Sequence, residues 1–308
     1  MRVLIVGGGI AGLALAHNLR DFDPVVFDRR RFPGKKCTGI ISRWTFTRLN
    51  VSKEYVDAEF KEIVMRYGNR EIHFKVDLLR LNRERLERDL SREVEYYPLT
   101  NAEVVSPKEI LVRGERLDGT VIKATGWDGK GRKVKAIEMV YEPIDSEVIT
   151  VILHEENVGG FSWVVPLPDK TLVGALGYGD VFRFVPKLDR RLIEVHGGPI
   201  PRCKMREVEG LAIGDVLCSV KTFTGGGIFS ISKLIEPIRK SLEGDPRAYE
   251  EELRSLRKEI NRQYRLVSLA ERAWRTSLRL GFSLLDGKTL SVGEEFDLHS
   301  LLLGRLLH

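Results

Sequence analysis

The chain has 308 residues, 43% hydrophobic and 31% charged, enough for a sizeable core in one large or two intergrown domains. Its formal net charge of +6 suits an anionic lipid surface or a phosphorylated substrate, but a charge this modest on a chain this long specifies no partner. No run reaches the roughly 20 apolar residues of a membrane span, the late Leu301-Leu302-Leu303 with Leu306-Leu307 included, and three cysteines without a CxxC pair argue against a disulfide framework.

Met1 leads straight into the apolar run Val3-Leu4-Ile5-Val6, which argues against a signal peptide and for a cytoplasmic protein. Abundant charge with scarce Cys and Met fits a heat-adapted source, although mesophilic proteins share that balance.

The opening reads as a strand over 2–6, a glycine turn, a helix over 10–20 and a second strand over 25–28. Gly7, Gly9 and Gly12 complete a GxGxxG directly after the strand, with Ile10 and Ala11 opening the helix. Gly7 permits the turn, Gly9 lets a pyrophosphate approach the backbone, Gly12 lets helix and strand close up, and the helix N-terminus offers N–H donors. Asp28 ends the second strand where a carboxylate accepts from an adenosine ribose lacking a 2′-phosphate. Arg29 and Arg30 beside it read equally as adenine or phosphate contacts and as a solvated basic run. This fingerprint alone does not separate FAD from NAD.

Farther on, a basic loop spans 29–42, Gly68-Asn69 turns a hairpin over about 58–76, and Asn82 caps a helix running to Glu93. Arg83, at the start of that helix, reads equally as a phosphate contact and as a solvated arginine. Short strands follow at 95–97, 102–105 and 120–125, and a separate antiparallel sheet is expected over 137–177. A strand at 211–215 ends in Gly-Asp, Gly225-Gly226-Gly227 introduces a helix at Ile228, and from Pro246 the pattern is helical and charged.

Gly214-Asp215 followed by Lys221-Thr222-Phe223-Thr224-Gly225-Gly226-Gly227-Ile228 resembles the second flavin motif of the geranylgeranyl reductase family of FAD-dependent oxidoreductases. Cys37-Thr38-Gly39 after Pro33-Gly34, and Phe161-Ser162-Trp163-Val164-Val165-Pro166 with Leu172-Val173-Gly174, resemble further motifs of that family over residues 1–245. The resemblance implies the aromatic-hydroxylase type of flavoprotein fold. In it, an α/β, Rossmann-type FAD-binding domain (1–130 and 203–245) holds an inserted antiparallel-sheet substrate domain (131–202) and is followed by a C-terminal helical region (246–308).

It also implies that Asp215 binds the ribityl chain, that Gly225–Gly227 and Gly39 lie by the flavin, and that Phe161 and Trp163 line an apolar substrate cavity. The bland reading of those two aromatics is a sheet core. Cys37 is implied beside flavin or substrate, where a catalytic and a structural cysteine are equal readings. The chain departs from the family with Val216-Leu217-Cys218 where small residues are usual.

The function implied is reduction of carbon–carbon double bonds in a geranylgeranyl or other isoprenoid chain, with FAD as cofactor and NADPH or a ferredoxin-like carrier as electron donor. The substrate is then an isoprenoid small molecule or lipid, with peripheral membrane contact for a lipid-borne one. The rival readings are a flavin-dependent monooxygenase or halogenase and a non-catalytic flavin-binding protein. Neither a metal site nor a nucleic-acid module is expected, and the oligomeric state is left open.

Overall fold

A computed structural model describes residues 2–295. Along the first third run β1 (Val3–Val6), α1 (Ile10–Asn18), β2 (Pro24–Phe27), β3 (Ile40–Ser42), α2 (Arg43–Leu49), β4 (Val56–Tyr67), β5 (Arg70–Leu81) and α3 (Arg83–Glu93). The middle holds β6 (Glu95–Tyr97), β7 (Ala102–Ser106), β8 (Glu109–Val112), β9 (Glu115–Asp118), β10 (Thr120–Lys123), β11 (Lys133–Tyr141) and β12 (Ile149–Ile152). After β13 (Phe161–Pro166), β14 (Thr171–Gly177), β15 (Leu192–Pro201) and β16 (Leu211–Ala212) come α4 (Ile228–Leu242), α5 (Pro246–Arg272), α6 (Trp274–Leu285) and β17 (Thr289–Ser291).

The Rossmann core is a parallel sheet in the order β16-β10-β1-β2-β6. Its central strands, Val3–Val6 and Pro24–Phe27, are buried throughout, as expected of parallel strands covered on both faces. On one face α1 and α4 pack, and Leu13, Leu15, Ile231 and Leu234 join that core. The other face is covered by the small antiparallel sheet β7-β8-β9, through Ile110 among others.

The second layer is a nine-stranded sheet, largely antiparallel, in the order β15-β11-β14-β13-β12-β4-β5-β17, with β3 pairing β5. The hairpin expected at 58–76 is longer, β4 to β5 around Gly68-Asn69, and it pairs through β12 with this sheet rather than with the Rossmann sheet. Asn82 caps α3 as expected, its side-chain oxygen accepting from Arg85 N at 3.1 Å. The expected helical region is α5 and α6, whose Leu256, Ile260, Trp274 and Phe282 are buried. Among the described residues no helix is long and apolar enough to cross a membrane. The leucines of 301–307 lie outside the described residues.

One expectation is corrected. Cys203, just past β15, and Cys218, just past the Gly214-Asp215 turn, form a disulfide with Cα atoms 6.1 Å apart, and Cys37 is the free thiol. Spacing could not reveal the pair, because it is the return of the chain from one sheet to the other that brings two positions 15 residues apart into bonding range.

Candidate active site

At the nucleotide end, β1 runs into Gly7 at φ +114°, where a Cβ would stand 2.1 Å from Ala124 O. A Cβ on Gly12 would stand 1.9 Å from Gly7 O, so these two glycines let α1 close on β1. Gly9 serves another purpose: the nearest atom to its missing Cβ is Arg30 Nη2 at 3.7 Å, leaving open space over the helix N-terminus. No side chain caps that terminus and no acidic residue lies in its first turn, so its N–H groups face a cradle suited to an anion.

Asp28, 4% exposed, accepts from Gly8 N at 2.9 Å and from Arg30 N at 2.8 Å, and its Oδ2 pairs with Arg30 Nη2 at 2.7 Å. The hydrogen bond to Asp28 raises Arg30 above the ordinary arginine range. Arg30 thus packs on Asp28 at the nucleotide end, whereas Arg29, named beside it as an adenine or phosphate contact, is exposed. Tyr96 on β6 completes this end. Its ring and Asp28 both crowd the space a Gly8 side chain would fill, and its hydroxyl is buried with no partner among the described residues. Burial, then the neighbouring Asp28 charge, pushes that hydroxyl up to about 12.

The second glycine motif packs directly on the first. Gly214, at φ +82°, sits against α1 so closely that a Cβ would be 2.8 Å from Ala11 Cβ. Asp215 then starts a short 3-10 turn, and Asp215 Oδ1 lies 3.0 Å from where a Gly227 Cβ would be. Burial raises the Asp215 carboxyl, while Lys35 and Arg83 pull it down. The loop 221–226 closes on itself, Gly225 N donating to Lys221 O at 2.9 Å and Lys221 N to Gly226 O at 3.2 Å. α4 begins at Ile228 with no side-chain cap and no acidic residue in its first turn. Thr222 Oγ1 and Ser230 Oγ, on either side of the glycines, are buried with no partner among the described residues.

The Cys37 loop is held from behind by Glu87. This fully buried carboxylate accepts from Gly34 N and Lys35 N, both at 3.1 Å, and from Arg83 Nε at 2.8 Å. Arg83 reaches Cys37 as well as Glu87, and the two raise it above its ordinary value against the opposing effect of burial. Gly39, at φ +72°, ends the loop where a Cβ would be 2.3 Å from Leu81 O.

On the sheet side Phe161 is half-buried and Trp163 is buried, its Nε1 donating to Glu138 at 3.1 Å. Trp163, Phe161, Phe223 and Trp274 follow one another with ring centroids 5.9, 5.5 and 6.5 Å apart. This aromatic wall joins the sheet to the Gly225–Gly227 loop, where Ile200 and Leu176 also flank Gly225. The fold thus gathers the two glycine motifs, Asp215 and the Cys37 loop beyond the carboxyl ends of the Rossmann strands, where open α/β sheets bind ligands. Sequence reasoning missed Tyr96, Glu87, Glu138, His196 and Trp274, none of which lies in a glycine or aromatic motif.

These features fit a dinucleotide flavin. Among the described residues there are an open cradle at Gly9 for the pyrophosphate, unpartnered buried hydroxyls at the Asp28 and Asp215 ends, and an uncapped helix start at Ile228. The comparisons agree: residues 2–136 match the family described as FAD dependent oxidoreductase, and the chain has the fold of the FAD-dependent oxidoreductases. It is similar in fold to a geranylgeranyl bacteriochlorophyll reductase-like protein from Thermoplasma acidophilum, at TM-score 0.80 and 15% identity, covering 98% of this chain and 94% of that one. It is also similar to pqsL, a probable FAD-dependent monooxygenase from Pseudomonas aeruginosa, at TM-score 0.69 and 15% identity over 92% and 99% of the two chains. The flavin-dependent halogenase CmlS matches at TM-score 0.64 and 16% identity, over all of this chain and 70% of that one. No curated protein matches the sequence.

Proposed function

We propose that this protein is an FAD-dependent reductase that adds hydrogen across carbon–carbon double bonds of a geranylgeranyl or other isoprenoid chain. The observation that carries the reading is the wall of Trp163, Phe161, Phe223 and Trp274. It runs from the glycine loop into an apolar sheet face and suits a chain with no polar groups to pair.

When bound, FAD would supply the hydride once reduced, either by hydride from NADPH or by two single electrons from a ferredoxin-like carrier with a proton from solvent. The start of α1 would hold the pyrophosphate, and Asp28 with Arg30 and Tyr96 would hold the adenosine. Asp215 would hold the ribityl chain, and the uncapped N–H groups at Ile228 would favour negative charge on a reduced flavin. The aromatic wall excludes water and orients the alkene, and Cys37 Sγ or a water beside it holds the proton destined for the second carbon.

A lipid-borne substrate requires contact with a bilayer surface. Leu280 and Leu284, 56% and 64% exposed and one turn apart on α6, offer apolar side chains for it.

The test is anaerobic reduction of the FAD-loaded protein followed by addition of a geranylgeranyl lipid. Reoxidation of the flavin with a mass gain of two hydrogens per bond supports the reading. Stoichiometric oxygen uptake with an oxygenated or halogenated product would instead favour the monooxygenase or halogenase chemistry named for the two neighbours above.

A further inference from the structure

Three segments far apart in sequence converge on one buried carboxylate. Trp163, Gly174, Glu138 and His196 stand in one cross-strand row over β13, β14, β11 and β15. Their neighbours on that face are largely apolar, among them Val134, Val165, Leu172 and Leu176. Glu138 is 4% exposed there. If packing alone mattered, an apolar residue would serve this position better, because a buried carboxylate must recover its lost hydration from fixed donors.

It has three such donors. Glu138 Oε1 accepts from His196 Nε2 at 3.0 Å, and Oε2 accepts from Trp163 Nε1 at 3.1 Å and from Thr38 Oγ1. Thr38 adjoins Cys37, so this hydrogen bond ties the cysteine loop to the sheet as a second anchor besides Glu87. The hydrogen bond to Glu138 raises the His196 imidazole above its ordinary value in spite of burial. The other charged groups facing it are Glu194 on its own strand, 3.5 Å from Nδ1, and Lys36 in the loop, itself paired with Glu194.

We propose that Glu138, charge-balanced by His196, is a positioning residue that fastens the Cys37–Thr38 loop to the apolar face of the sheet, and that the fastening loosens when His196 loses its proton. The proposal rests on the reductase reading only in taking this loop as part of the site. Loop attachment can be measured with neither substrate nor turnover, so the two readings fail separately.

Loss of the proton leaves the buried carboxylate without its counter-charge. The sign follows from the direction of the shift: the stabilisation is complete below the unperturbed histidine value of 6.5 and is lost as pH rises through the higher folded value.

The experiment is limited trypsin digestion of the full FAD-loaded chain from about pH 6 to about pH 9, with cleavage after Lys35 and Lys36 followed by mass spectrometry. At the acid end T38V and E138Q should be cut about tenfold faster than wild type, as expected for losing a hydrogen bond to a charged group, while T38S should match wild type. The ratio of T38V to wild-type rates, which cancels the protease's own pH dependence, should fall towards unity as the His196 imidazole titrates by NMR. H196Q should be cut rapidly with no such step. T38V leaves Glu138, His196 and Trp163 in place, so it remains informative if E138Q does not fold. Cleavage of T38V at the wild-type rate, or a ratio constant across the titration of His196, would overturn the proposal.

Discussion

Trp163 lies across the bare Cα of Gly174: a Cβ there would stand 2.3 Å from Trp163 Cζ2 and 2.4 Å from Ile137 O. That close approach lets the indole lie on its neighbouring strand while its N–H reaches Glu138. G174A should therefore overpack the sheet and destabilise the protein by about 1–3 kcal/mol. Urea unfolding followed by tryptophan fluorescence measures the loss. A variant as stable as wild type would mean that the ring shifts freely and is not fixed by this row.

The glycines of the first motif separate into two kinds, and mutation should tell them apart. G7A and G12A each direct a Cβ into backbone oxygen and should destabilise the protein with or without FAD. Gly9 is neither at positive φ nor crowded. G9V should therefore unfold like wild type without cofactor, yet bind FAD at least about tenfold more weakly, a loss of ~1.4 kcal/mol. Flavin fluorescence titration against apo thermal unfolding distinguishes the two effects.

Much of this arrangement was legible in the sequence because glycines and caps act locally. The βαβ opening, the Asn82 cap and the helix after Gly225–Gly227 follow from residues that set their own backbone geometry. What stayed hidden depends on long-range pairing. Nothing near Glu138 announces that β15 will bring His196 opposite it, or that the Cys37 loop will place Thr38 on its other oxygen. Likewise Cys203 and Cys218 look unrelated until the chain returns from one sheet to the other, and Tyr96 becomes a neighbour of Asp28 only through β2–β6 pairing.

That disulfide ties the exit of the nine-stranded sheet to the Gly214-Asp215 turn. Closing a loop of 15 residues restricts the unfolded chain by about 3 kcal/mol in the chain-entropy description. Reduction, or the C203S variant, should accordingly lower the melting temperature by several degrees. Thermal unfolding with and without a phosphine reductant gives the difference, and C203S itself should show no further response to the reductant. An unchanged midpoint in both experiments would mean that the crosslink adds nothing to folding.

Asp215 faces opposing demands that a single variant exposes. Burial raises its carboxyl above the ordinary 3.8, so its contribution to apo stability is complete below that value and is lost as pH rises through the folded value. D215N removes the half-buried charge and should raise the apo melting temperature near pH 7, with much less effect near pH 4. If the carboxylate accepts from the ribityl chain, the same substitution should weaken FAD binding on the order of tenfold, since hydrogen bonds to charged groups are the stronger kind. Opposite signs for apo stability and cofactor affinity would identify Asp215 as a charge kept for the ligand. A loss of both would make it a structural carboxylate, relying on Lys35 and Arg83 for its compensation.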